Sequence, residues 1–189
     1  VTSEASMAAA VGQIEAEHGA VGVLINNAGY SQSGAVEAVP VERMRAQFET
    51  NVWGPMRLAQ LVLPKMRRQR WGKIVNVSSM GGKLVFPGGG VYHASKYAVE
   101  ALSDALRFEV RGFGVDVVLI EPGLIKTGFG DAAVATIEPP KSEASAAYAT
   151  FDEAVARATK EVYEKGPLAR LAGSADDVAA AIEKAITAK

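Results

Sequence analysis

Short apolar stretches alternate with longer amphipathic ones along the chain. Runs rich in Val, Leu and Ile occupy residues 21–25, 73–77 and 115–120, and polar or helix-breaking residues follow each run directly. Runs of this length and composition are typical of strands that are buried on both faces of a parallel sheet. We therefore predict three strands at these positions.

Helical periodicity fills the intervals between these strands and continues after the last one. Capping residues and prolines set the predicted boundaries. The second helix should place Met44, Phe48 and Val52 on its inner face, whereas residues 124–150 show no period and are expected to be irregular. The predicted helices run from Thr2 or Ser3 to about Gly19, from Pro40 toward Pro64 with an end among Lys65, Arg67, Arg68 and Arg70, from about Tyr92 to Arg111, from Phe151 to Tyr163 and from Ser174 to about Thr187.

Strands that alternate with helices of this length form βαβ units, a parallel sheet and right-handed crossovers. The predicted fold class is therefore α/β. In such sheets the ligand binds beyond the carboxyl ends of the strands. Polar or turn-forming pairs stand at those ends: Asn26-Asn27, Ser78-Ser79 and Pro122-Gly123.

Composition excludes several kinds of site. The 189 residues suffice for one domain and include no cysteine, which excludes disulfides, Cys-ligated zinc and thiol catalysis. Twenty Lys and Arg against 21 Asp and Glu give a net charge of −1, which argues against a nucleic-acid partner. No apolar run approaches the ~20 residues that cross a bilayer. We expect a cytoplasmic protein with no membrane span and no metal site.

Tyr92 and Lys96 lie four residues apart and hence on one face of a helix. A phenol has a pKa near 10, and a nearby ammonium lowers it toward the working pH that favours acid–base catalysis. Taken alone, the pair fits an ordinary helix-surface pair, because so short a motif recurs by chance. His93 points about 100° away from Tyr92 on the helix and is expected to be structural.

Four further motifs accompany this pair in a fixed order. They are Asn26-Asn27-Ala28-Gly29, Asn51, Asn76-Val77-Ser78-Ser79 and Pro122-Gly123 with Thr127. The ordered set resembles the short-chain dehydrogenase/reductase family, from residue 1 to about residue 130. The resemblance implies a Rossmann-like, doubly wound parallel sheet in three α/β/α layers. It also implies an NAD or NADP cofactor and hydride transfer between nicotinamide and a carbonyl or secondary alcohol.

The resemblance implies a role for each motif. Tyr92 would be the general acid or base, Ser79 would bond the substrate oxygen, and Lys96 would lower the Tyr92 pKa and bind the nicotinamide ribose. Asn51 would hold a water in a proton relay. The implied cofactor-binding residues are Asn26, Ala28, Gly29, Tyr92, Lys96, Pro122, Gly123, Ile125 and Thr127. Structural alternatives stay open: a satisfied buried amide for Asn51, a turn at Ser79 and a helix cap at Thr127.

The family's phosphate-binding element, a strand followed by Thr-Gly-x-x-x-Gly-x-Gly and a helix, does not occur in the 189 residues. The resemblance places Val1 just after the third strand of the family sheet. We therefore expect that about 60 residues of the single Rossmann domain, its first strands and helices, are missing here. The strand at 21–25 would then be a bare apolar edge, and this chain alone would bind cofactor very weakly.

The substrate is expected to be a small alcohol or ketone. Residues 124–160 would form the pocket lid, with a hinge at Gly128-Phe129-Gly130, and their apolar content favours a lipophilic substrate. The resemblance further implies a homodimer or homotetramer. One alternative is a non-catalytic fragment or interaction module that cannot bind cofactor. An α/β hydrolase using Ser79 is a weaker one, because the Gly-x-Ser-x-Gly elbow is missing.

Overall fold

The computed structural model describes residues 1–165 and 169–188. Its strands are β1 (Val23–Asn26), β2 (Gly72–Val77) and β3 (Val115–Ile120), and they form a parallel sheet in the order β1-β2-β3. Asn26 pairs with Asn76, and Val77 pairs with Ile120, so the carboxyl ends of the strands lie side by side. The predicted α/β class and parallel sheet are confirmed.

Helices follow each strand, as predicted. Ser3 caps the first helix by accepting a hydrogen bond from the Ser6 N–H group, and Ser174 caps the last one in a capping box with Asp177. The helices are α1 (Glu4–His18), α2 (Val41–Phe48), α3 (Gly54–Gln69), α4 (Gly90–Val110), α5 (Phe129–Ala135), α6 (Glu143–Ala147), α7 (Ala149–Glu164) and α8 (Ala175–Thr187).

The sheet lies between two helical layers. Side chains alternate along β2, so Ile74 faces the layer of α1, α3 and α4, while Lys73 faces α8 and donates to its carbonyl at Ala185. The largest apolar cluster fills the first interface and includes Val62, Met66 and Val117. No helix among residues 1–165 and 169–188 is both long and apolar enough to cross a bilayer.

The long helix predicted from Pro40 is confirmed in its extent, including its end among Lys65, Arg67, Arg68 and Arg70, but it is not a uniform α-helix. A π-helical turn at Glu49–Trp53 divides it into α2 and α3, and α3 continues past Pro64 to Gln69. The predicted inner face is confirmed at Val52, which is fully buried. Gln47 is fully buried, whereas Met44 and Phe48 are only half-buried.

The prediction that residues 124–150 are irregular is also wrong in part. Helices α5 and α6 lie within this segment. Helices of five to seven residues are too short to show an apolar period, so the pattern could not reveal them. Polar side chains that bond backbone N–H groups at the helix starts could indicate these helices. The Thr127 hydroxyl accepts from the Phe129 N–H group, and Ser142 and Ser145 form a capping box.

Strand β1 does not have the predicted burial on both faces. Ile25 is 43% exposed, because β1 lies at the edge of the sheet and pairs with β2 alone among the described strands. The expected apolar edge is therefore present. By contrast, five of the six residues of the central strand β2 are buried.

Candidate active site

Buried amides connect the carboxyl ends of β1 and β2 to helix α4. The Asn26 Nδ2 group donates to Asn76 Oδ1 at 2.8 Å, and Asn76 Nδ2 donates to the Ser103 hydroxyl at 2.8 Å. Asn26 thus faces the sheet's own polar network rather than a ligand. Ala28 and Gly29 follow in the loop that leaves β1, and both are exposed.

Asn51 lies in the π-helical turn and is almost completely buried. Its Nδ2 group donates to the Tyr30 carbonyl and to the Ser95 hydroxyl, both at 3.0 Å, and its Oδ1 accepts from the Tyr30 N–H at 3.2 Å. Ser95 in turn donates to the Tyr92 carbonyl at 2.7 Å. Because Asn51 already donates both of its amide hydrogens, a relay water could bond only to its Oδ1 atom or to the backbone of the π-helical turn.

Ser79 and Tyr92 meet at the start of α4. Ser79 follows β2 and caps a 3₁₀ turn, Met80–Gly82, by accepting from the Gly81 N–H at 3.0 Å. Burial raises the pKa of the Tyr92 phenol, and a hydrogen bond with the Ser79 hydroxyl opposes this rise. The structure therefore brings these two predicted residues together and keeps the phenol protonated at neutral pH.

Lys96 lies one helical turn after Tyr92, with Nζ 5.8 Å from the centre of the phenol ring. It is 7% exposed, and burial lowers its pKa from 10.5 to about 8 while the Glu100 carboxylate opposes the change. The ammonium donates to the Val77 carbonyl at 2.8 Å. The expected lowering of the Tyr92 pKa by Lys96 stays a prediction.

The Lys96 ammonium keeps donors that a hydroxylated ligand could accept. Of its three hydrogens, one is bound to Val77 among the described residues. A Cβ on Gly29 would lie 3.7 Å from Lys96 Nζ and 3.2 Å from Asn51 Oδ1, so the missing side chain keeps the approach open. These residues fit the ribose of a nicotinamide nucleotide.

The segment after β3 lies next to Ser79. The Met80 N–H donates to the Pro122 carbonyl at 2.8 Å, which joins the loops that follow β2 and β3. Ile125 forms an isolated bridge with Gly173. Gly123 and Thr127 lie on the same segment, and Thr127 is exposed. The Thr127 hydroxyl accepts from the Phe129 N–H at 3.2 Å, but Gly128 occupies the N-cap position of α5, and cofactor binding by these residues stays a prediction.

Three aromatic residues lie near Tyr92, and none of them was predicted to be catalytic: Phe129, Tyr163 and His93. The Phe129 ring lies 5.5 Å from the Tyr92 ring, and Tyr163 of α7 packs so closely on Gly130 that a Cβ there would lie 2.9 Å from its ring. The predicted hinge at 128–130 is therefore the start of a packed helix. His93 accepts from the Phe86 N–H at 3.1 Å and donates from Nδ1 to the Gly81 carbonyl at 3.0 Å, a structural role as expected.

A cavity of about 230 Å³ lies between residues 32–43 and residues 136–152. Arg43, Glu138 and Lys141 give it a polar wall, and none of the four candidate catalytic residues lines it. Within the described ranges no three His, Asp or Glu residues are grouped to hold a metal ion. The groups that meet at the strand ends are a phenol, a hydroxyl and an ammonium, which suit proton transfer to or from an oxygen.

A family model described as short chain dehydrogenase matches residues 1–138. The chain is 47% identical over 131 residues to the 3-ketodihydrosphingosine reductase of Bacteroides thetaiotaomicron, covering 69% of this chain and 49% of that protein. It is 41% identical over 138 residues to the NADPH-dependent 3-dehydrocapnine reductase of Ornithobacterium rhinotracheale, covering 70% and 49%. The chain thus spans about half the length of these curated relatives.

Solved structures share the fold. A short chain dehydrogenase/reductase from Burkholderia phymatum, crystallised in complex with NAD, matches with a TM-score of 0.76 at 28% identity. The match covers 98% of this chain and 64% of that one.

Proposed function

The chain belongs to the short-chain dehydrogenase/reductase family, and on this premise we propose that the intact protein is an NAD(P)-dependent oxidoreductase. It transfers a hydride between nicotinamide and a carbonyl or secondary alcohol. The observation that carries the proposal is the convergence of Ser79, Tyr92 and Lys96 at the carboxyl ends of the strands, with the ammonium buried. That position is where parallel sheets bind their ligands.

The cofactor, NAD or NADP, supplies or accepts the hydride when it is bound. Lys96 holds the ribose through the donors that Val77 leaves free, and Gly29 leaves room for it. Asn26 stabilises the sheet end, Ala28 and Gly29 line the adenosine side, and the segment 122–127 holds the nicotinamide carboxamide and phosphate region. One relative is named NADPH-dependent and one neighbour contains NAD, so both cofactors remain candidates.

Tyr92 transfers the proton. Because burial keeps its pKa high, the phenol is protonated at neutral pH and ready to act as an acid in ketone reduction. Its O–H bond breaks as a new O–H bond forms on the substrate oxygen. Ser79 donates a hydrogen bond to that oxygen and holds it beside the phenol. In alcohol oxidation the same proton moves in the opposite direction, and the charge of Lys96 favours the phenolate.

The substrate class we propose is a lipophilic ketone or its alcohol. The lid segment places Phe129 against Tyr92, and Ala133 of the same short helix is buried. An apolar surface of this kind favours an apolar substrate chain. Both relatives above are named as reductases, one of them of a keto compound, which supports reduction as the reaction direction.

A substrate panel tests this proposal. The intact protein is incubated with NADPH or NADH and ketones of increasing chain length, and loss of reduced nicotinamide is followed by absorbance. We expect turnover that improves with chain length, and a Ser79→Ala variant should lower kcat roughly 10²-fold because it loses one oxyanion donor. An intact protein that neither binds a nicotinamide cofactor nor turns over any ketone or alcohol would instead favour the interaction-module alternative.

A further inference from the structure

A buried carboxylate lies beneath the candidate site without a part in the proposed chemistry. Glu100 comes one helical turn after Lys96 on α4 and is only 5% exposed. Side chains four residues apart on a helix share a face, with Cβ atoms about 5–6 Å apart. The two side chains therefore share one face of α4, and the Glu100 charge opposes the fall that burial causes in the Lys96 pKa.

The surroundings of Glu100 hold its charge in place. Lys83 Nζ lies 2.9 Å from Glu100 Oε2 and 3.6 Å from Glu121 Oε1, and the Lys83 side chain is half exposed. Gly82 closes over the carboxylate, because a Cβ there would lie 3.1 Å from Oε1 and 2.9 Å from the Ser78 hydroxyl. Neither Oε1 nor that hydroxyl has a hydrogen-bond partner among the described residues.

Four charges therefore alternate in sign beneath the strand ends, in the order Lys96, Glu100, Lys83 and Glu121. Besides Glu100, the groups that face the Lys96 ammonium are the Val77 carbonyl and the Tyr92 ring. Because burial of an isolated charge is strongly unfavourable, each inner member of this series stabilises its neighbours in the charged form. Without Glu100, Lys96 would be a buried ammonium with no anionic neighbour on its own helix.

We propose that Glu100 is a positioning residue that keeps Lys96 charged beneath the candidate site, with Lys83 as its counter-ion. A charged Lys96 holds the Val77 carbonyl and keeps donors for the cofactor ribose. Burial already lowers the Lys96 pKa to about 8, so the ammonium has little margin at neutral pH. The catalytic consequence rests on the proposed function, whereas the charge of Lys96 does not.

Side-chain NMR of labelled lysines in the intact protein measures this charge without any turnover. The Lys96 signal is assigned with a Lys96→Met variant. In Glu100→Gln we expect the Lys96 pKa to fall by about one pH unit or more, since a close opposite charge shifts a pKa by roughly 1–3. Glu121→Gln is the matched control: it removes a carboxylate that contacts Lys83 and should leave the Lys96 titration unchanged.

An unchanged Lys96 titration in folded Glu100→Gln would overturn the inference. If that variant does not fold, Glu100→Met removes the same charge with an apolar side chain of similar size and carries the same expectation. In an active protein, loss of Glu100 should also move the alkaline limit of kcat/KM to lower pH, whereas a purely structural defect lowers kcat/KM at every pH. A shifted Lys96 titration in an inactive protein would support this inference and count against the proposed function.

Discussion

The strand-end cluster and the lid are held in opposite ways. The strand-end cluster consists of Asn26, Asn51, Asn76, Ser95 and Ser103. All five are buried, and the hydrogen bonds among them join residues 27 to 50 positions apart. The lid, residues 124–160, relies mostly on local and exposed bonds, such as those between Ser142 and Ser145. It is attached to the rest of the molecule at two main points: Thr136, which bonds Ser31, Gln32 and Ser33, and Asp152, which accepts from the Ala35 N–H.

The two regions therefore differ in how much free energy is needed to disrupt them locally. A buried polar network is costly to break, because each member left unpaired keeps its full desolvation cost. A region with few buried contacts opens at a lower free energy than the whole domain unfolds. We infer that folding of the cluster fixes the positions of Tyr92 and Lys96, while the lid can adjust to a substrate.

The largest expected loss of stability comes from breaking the cluster. Asn76→Ala removes the partner of both the Asn26 amide and the Ser103 hydroxyl, and each buried group left unpaired costs about 1–3 kcal/mol. We expect the free energy of unfolding to fall by about 2–4 kcal/mol in urea denaturation of the intact protein. If the free energy of unfolding falls less in Asn76→Ala than in the lid variants, the strand-end cluster is not the more firmly held region.

Because Lys96 is buried beside this cluster's helix positions on α4, the free energy of unfolding should depend on pH. Its folded pKa of about 8 lies below the ordinary 10.5, so between these values the unfolded state binds more protons and stability rises with pH. The rise should total about 3 kcal/mol, at about 1.4 kcal/mol per pKa unit. The measurement is the difference in unfolding free energy between the wild type and Lys96→Met from pH 7 to 11. A flat difference would contradict the burial of a charged Lys96.

The contact between Asp152 and Ala35 tests how the lid is attached. Asp152→Ala removes the acceptor of the Ala35 N–H, a hydrogen bond of 3.1 Å, and should cost about 1 kcal/mol of local stability. We expect amide exchange in 149–164 to become roughly fivefold faster while global unfolding stays unchanged. Glu153→Ala, at an exposed neighbouring position, is the control. Equal acceleration in both variants would count against this attachment.

The smallest effect is expected at the exposed end of the lid. Tyr148→Phe removes the hydrogen bond from the phenol to Glu37, 2.7 Å long and exposed to solvent. Substitutions at such surface positions usually change stability by less than about 0.5 kcal/mol. Urea denaturation beside Asn76→Ala makes the contrast direct. A cost as large as that of Asn76→Ala would show that the lid is as firmly held as the cluster.

Local sequence patterns could predict the parts of this site that depend on short distances along the chain. The three strand positions, the polar residues at their ends and the shared face of Tyr92 and Lys96 follow from such patterns. The position of Phe129 over Tyr92 could not be predicted, because it depends on how the lid packs across the molecule. The burial of Gln47 has the same cause, since its amide bonds the backbone at Gln32.

Glu100 is a different case, because its signal was present in the sequence. It lies four residues after Lys96, the same spacing that joins Lys96 to Tyr92. Spacing alone, however, does not tell a buried carboxylate from an exposed one. Its burial depends on the turn at Gly82, which closes over it from a different segment of the chain.

The central claim, that Tyr92 transfers the proton at this site, is tested most directly by Tyr92→Phe in the intact protein. We expect kcat to fall roughly 10²–10⁴-fold, the range for loss of a general acid, with cofactor affinity nearly unchanged. Tyr97→Phe is the matched control on the same helix, because the Tyr97 phenol is exposed and donates to the Lys83 carbonyl. Full activity of Tyr92→Phe with its best substrate would contradict the account.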